Sequence, residues 1–296
     1  MAAVFEHWSA SWPVLAGYAV LAAWHLAGLW RLRGAAPGGQ EQAPASAPAS
    51  RELRREAIVC QLGLLVVLIA LVSPVGYLSG LYIWVRMLQE LLVAVVGPGL
   101  IVVGAPWNAL RAALSRRPLP AGSALPRWLT ARPVLLVIAA NAIWLGWQLP
   151  ALFDRAQSAA GLALAEHVSY LAAGLVFWLV VISSRPYQQR TPPLRRVGVV
   201  IGSVAASTVF GMMLVFGSGV LYPAYANSAH HVMSVLDDQQ LAGAVWWMGI
   251  LPPMIIAAVA LMMEWLRDEE SAELSAGLDR LLTPRRHGWP SRPVIR

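Results

Sequence analysis

Seven apolar stretches of about twenty residues divide this chain, at roughly 12–30, 58–77, 82–103, 133–149, 162–183, 197–221 and 241–265. About twenty apolar residues in a helix span the hydrocarbon core of a bilayer, and in lipid a helix satisfies its own backbone hydrogen bonds. Only 12% of the 296 residues are charged, against about 25% in a soluble domain. The pattern predicts an all-α polytopic membrane protein, a bundle of seven transmembrane helices. Residues 1–11 form an outer N-terminal segment, 12–265 the transmembrane domain and 266–296 a C-terminal tail. The first apolar run lacks the basic region of a cleavable leader and is expected to stay as an anchor.

The charges fix an expected orientation. All 22 basic residues are arginine. Twenty lie in 31–57, 104–132, 184–196 and 266–296, and the intervening loops hold only Arg155. This imbalance predicts the N-terminus outside and the C-terminus in the cytoplasm. It also accounts for the net charge of +7 without nucleic acid, since no aromatic-interleaved basic patch exists. Residues 35–50, rich in Ala, Pro, Gly and Ser, predict a disordered linker within 31–57. Cys60 is the single cysteine, so the chain can form no internal disulfide and no Cys-x-x-Cys pair.

The third stretch carries Arg86, Gln89 and Glu90 near one end and Gly97, Pro98 and Gly99 near the other. A charge at mid-membrane costs on the order of 2.5–3.5 kcal/mol, so this helix is expected inside the bundle. Arg86 and Glu90 are four apart, on one helix face, and can form a structural ion pair. The glycines would allow a neighbouring helix to come close, and the proline would kink or end the span.

On the expected topology the remaining polar residues gather on the outer side. Gln148 ends the fourth stretch, and Glu166 and His167 open the fifth. The loop before the seventh holds Tyr222, Tyr225, His230, His231, Met233, Asp237 and Asp238. Ser234 and Asp237 have capping-box spacing, so a helix should start there. His167, His230, His231 and Met233 are weak metal candidates by donor type. The aromatic content of 222–240 predicts a contact with another chain. No phosphate-binding Gly-rich loop or nucleophile elbow is present, and no enzyme activity is expected.

The strings 86–107 (RMLQELLVAVVGPGLIVVGAPW), 145–156 (LGWQLPALFDRA), 165–181 (AEHVSYLAAGLVFWLVV), 221–226 (LYPAYA) and 238–243 (DQQLAG) occur in this order on the seven stretches. Together they resemble the seven-helix CtaG family of cytochrome c oxidase assembly proteins, of the kind associated with caa3-type oxidases. The motif positions carried over are Met87, Gln89, Gln148, Pro150, Glu166, His167, Asp238, Gln239 and Gln240. The departures carry weight. The family pattern His-Met-x-x-His reads Arg86-Met87-Leu88-Gln89-Glu90 here, and His-x-Pro reads Gln148-Leu149-Pro150. Arginine has no lone pair for a metal. The resemblance therefore implies a place beside a haem–copper oxidase, as assembly factor or non-catalytic subunit, with oxidase subunits and membrane lipid as partners. It also implies a degenerate metal site: no cofactor is expected, and copper is possible but disfavoured. The alternatives are a copper-binding assembly chaperone and a proton or solute transporter built on Arg86 and Glu90, with inner-membrane residence in a bacterium common to all.

Overall fold

The computed structural model describes residues 12–34, 47–226 and 232–282. Helix α1 is Trp12–Gly34 and α2 is Ala47–Val72. Ser73 then turns the chain: its side chain accepts from Val75 N at 3.2 Å and Pro74 opens α3, Pro74–Leu78. Proline suits a first helical position because its missing N–H would be unpaired there anyway. The tight connection leads into α4, Ile83–Leu91, a π-helical segment Leu92–Val96 and α5, Gly97–Val103.

These three pieces form one span and the inside helix of the bundle. In it 78% of residues are buried, against 22–50% for the other long apolar helices. Its break follows from Pro98, which has no N–H to return to the preceding turn. The helix widens over the preceding five residues, and the Gly97 N–H reaches Leu92 O. The Val95 carbonyl is taken by the Trp178 indole N–H at 2.8 Å. This bond ties the widened turn to a neighbouring helix. Gly174 permits this approach: a Cβ there would sit 2.1 Å from Ala94 O.

Helix α6 (Trp107–Ala113), the short α7 (Arg127–Ala131) and two residue pairs, β1 (Ser123–Ala124) and β2 (Tyr187–Gln188), paired in parallel, build the arginine-rich end. The fourth apolar stretch is broken. Helix α8, Pro133–Gly146, is about 21 Å long, too short for a bilayer of about 30 Å. After a 65° turn it continues as α9, Pro150–Ser158, with Pro150 at the first helical position. Then follow α10 (Ala160–Val181), α11 (Pro193–Phe216), a 3-10 turn at Pro223–Tyr225 and α12 (Val235–Leu282). Among the described residues six helices are long and apolar enough to cross a membrane, or seven if the bent α8–α9 pair is one span. The chain is an all-α, multi-pass membrane protein.

Several boundaries differ from the sequence reading. Residues 47–57, assigned to the linker, are the first turns of α2. The loop assigned to 150–162 is mostly the amphipathic α9, which covers the end of the bundle. The sixth span stops at Phe216, not Leu221, because Gly217 turns extended. The tail is helical from 266 to 282, because its Glu, Ala and Leu residues favour helix and its one glycine, Gly277, does not end α12. Trp144, at the end of the fourth stretch, is 1% exposed and packs tilted against Phe177 in the core.

Candidate functional site

Helix α4 starts without a cap from its own N-cap residue, since the Tyr82 side chain makes no capping hydrogen bond. Asp238, near the start of α12, supplies one from the far end of the chain. Its carboxylate accepts from Ile83 N at 2.9 Å and Trp84 N at 3.0 Å. Carboxylates at a helix N-terminus satisfy orphan N–H groups and complement the helix dipole. The capping-box pair Ser234 and Asp237 starts α12, with Ser234 Oγ accepting from Asp237 N at 3.1 Å. Asp238, one residue on and facing inward, is thereby free to cap α4.

One turn into α4, Arg86 is almost wholly buried, and every N–H of its guanidinium has an acceptor. Nε donates to Glu90 Oε1 at 3.0 Å. Nη1 donates to Phe153 O at 3.0 Å and to Gln157 Oε1 at 3.4 Å. Nη2 donates to both oxygens of Glu166, at 2.9 and 3.0 Å. The guanidinium also lies over the Phe153 ring, 3.7 Å from its centroid. Arg86 therefore joins α4, α9 and α10.

Glu90, fully enclosed, accepts at its other oxygen from Gln148 Nε2 at 2.5 Å, with Tyr170 OH 3.3 Å away. Gln148 also donates to Tyr170 OH at 3.1 Å, while its own Oε1 has no partner. The Gln148 backbone carbonyl accepts from Tyr222 OH at 3.1 Å. Tyr222 lies 4.0 Å from the Phe153 ring centroid, and Tyr225 OH donates to Ser79 O at 2.8 Å. Within the segment expected to meet another chain, Tyr222, Tyr225, Asp238 and Gln239 are buried against the chain's own bundle, as a lid over the cluster. Burial pushes both phenols above their ordinary range.

The remaining positions fasten this lid or the core. Gln239 Nε2 donates to Gly219 O at 3.0 Å and its Oε1 accepts from Leu221 N at 2.6 Å. Gln240 reaches Gly217 O at 3.4 Å. Gln89 turns the other way and donates to Ala70 O of α2 at 2.9 Å. Met87 is core, and Met233 is half-buried ahead of α12. His230 and His231 lie outside the described residues.

His167 does not join Glu90 and Gln148. One residue beyond Glu166, it turns about 100° around the helix, as helical geometry requires. It lines an apolar cleft of about 230 Å³ between α10, α1 and α2, with Tyr18 and Leu68. Among the described residues no three His, Cys, Asp or Glu side chains are grouped to hold a metal ion.

Sequence spacing identified the Arg86–Glu90 proximity but missed Glu166 as a second carboxylate on the same guanidinium. It also missed Phe153, Gln157 and Tyr170. Tyr170 had a signal, being four residues after Glu166 and so on the same face. Phe153 and Gln157 had none, because their segment read as a loop.

A stretch of 104 residues, 34% of this chain, is 28% identical to an uncharacterized protein of Mycobacterium leprae. A stretch of the same length is 26% identical to uncharacterized proteins of Mycobacterium bovis and Mycobacterium tuberculosis. The match spans 16% of each relative's own length. No solved structure matches the chain. The family model described as cytochrome c oxidase caa3 assembly factor matches residues 23–268, across α2 to α11, most of α1 and the membrane part of α12, and the chain belongs to that family, as a multi-pass protein of the bacterial plasma membrane.

Proposed function

We propose that this chain is a non-enzymatic accessory protein of a haem–copper cytochrome c oxidase, and that its buried polar cluster is a brace rather than a metal carrier. The observation that carries the reading is the saturation of Arg86. All its donors are engaged, at a position where the resemblance places a histidine. Glu90, four residues on, is bound to Arg86 and Gln148. A metal there would have to displace a guanidinium from two carboxylates in a site closed by Tyr222 and Phe153. Removing one member of a buried charge set costs about 3–5 kcal/mol.

The test is a mild-detergent pull-down of the full chain from its native membrane, with copper measured on the same sample after dialysis. Recovery of oxidase subunits with well under one copper per chain is the expected result. A fixed ratio to the oxidase assigns a resident subunit, and a trace assigns an assembly factor. One retained copper per chain overturns the brace in favour of a chaperone. Proton or solute flux in proteoliposomes, with no oxidase recovered, overturns the accessory role.

A further inference from the structure

Helix α8 packs chiefly on α10 and α11 chiefly on α12, and the two touch each other only lightly. Between them, at the arginine-rich end, lies a cleft of about 440 Å³ rimmed by Arg132, Arg190 and Arg195, with Thr130 and Thr191 beside them. The cleft opens into an apolar groove of about 500 Å³, and Val134, Arg195 and Val199 line both. The groove passes over Gly198 and Gly202 toward Ser203, which Asn141 of α8 reaches at 2.9 Å. From Arg195 to Ala206 it follows α11 for about 16 Å.

Other arginines at this end are engaged within the chain. Arg185 pairs with Glu52 and Arg196 with Glu264. Arg31 caps the last carbonyls of α6, and Arg111 donates to Arg117 O. Arg132, Arg190 and Arg195 are exposed and meet no carboxylate among the described residues. Three cations around a polar pocket at the end of a membrane-facing apolar groove match a molecule with a phosphate head and a hydrocarbon tail.

We infer that the α8–α11 cleft is a binding site for one anionic phospholipid, with the phosphate held by Arg132, Arg190 and Arg195 and an acyl chain laid over Gly198 and Gly202. The inference is independent of the proposed oxidase role. It needs only the arginine cluster and the groove to be continuous.

The test is native mass spectrometry of the full chain in detergent, offered phosphatidylglycerol and phosphatidylcholine in equal amounts. About a tenfold preference for phosphatidylglycerol is expected. It should vanish in Arg132→Gln/Arg190→Gln/Arg195→Gln and persist in the charge-matched control Arg51→Gln/Arg54→Gln/Arg55→Gln. A Cβ at Gly198 or Gly202 would meet nothing within 4 Å, so Gly198→Leu/Gly202→Leu should fold while filling the groove and lowering lipid retention. Retained preference in the cleft variant overturns the site, as does equal loss in both arginine variants, which would mean diffuse attraction. Unchanged retention in the leucine variant, with displacement of the lipid by millimolar inorganic phosphate, would mean a free-anion site and overturn the lipid.

Discussion

Arg86 donates five hydrogen bonds, and two of its acceptors are carboxylates on different helices. Arg86→Ala is therefore expected to lower stability by about 3–5 kcal/mol, because Glu90 and Glu166 both lose their cation. The double change Arg86→Leu/Glu90→Leu still strands Glu166. Only the triple Arg86→Leu/Glu90→Leu/Glu166→Leu removes all three charges of this cluster, and it should recover much of the loss. Thermal melts in one detergent check the order, and a triple variant no better than Arg86→Ala would show that packing, not charge, dominates. Asp238→Ala should cost about 1–2 kcal/mol in the same assay, the usual worth of a helix cap. Asp238→Asn, which keeps one acceptor, should cost less. The Arg86–Glu90 proximity was legible from spacing alone. Glu166 and Asp238 were legible as polar residues on the expected outer side but not as partners, since they lie 80 and 155 residues from the atoms they bind.

Among the elements, the widened turn before Pro98 and the lid at Tyr222–Tyr225 are the informative ones. Trp178→Phe keeps the ring but removes the indole donor to Val95 O, an expected loss of about 0.5–1.5 kcal/mol. Gly174→Ala should also destabilise, by about 1–3 kcal/mol, because its methyl would push α10 from Ala94 O. The lid gives a pH signature. Tyr222 and Tyr225 have phenols raised by burial, so their contribution is complete below the unfolded value of about 10. It is lost as pH rises through the higher folded value. In an ultraviolet titration, Tyr222→Phe and Tyr225→Phe should each remove one late-titrating phenol, and normal titration of Tyr222 and Tyr225 would mean an open lid. The spans were readable because length and hydropathy suffice for them. Helix α9 was not, because nine amphipathic residues after a proline look alike as loop or helix until a bundle end is present to cover.

For the whole molecule, the arginine imbalance predicts that a reporter fused within 114–122 reads as cytoplasmic and one inserted after Gly219 reads as outside. The reverse result would turn the bundle over and move the Arg86 cluster to the cytoplasmic side. Sequence by itself determined the class of the molecule, an all-α protein of several membrane spans. It also determined that Arg86 and Glu90 share a face, because bilayer thickness and helical periodicity act on contiguous residues. Tertiary structure alone decided that Glu166 completes the arginine site, that Asp238 caps α4 and that Tyr222 closes the cluster. Those are pairings between helices distant in sequence, and one-dimensional spacing carries no information about which faces meet.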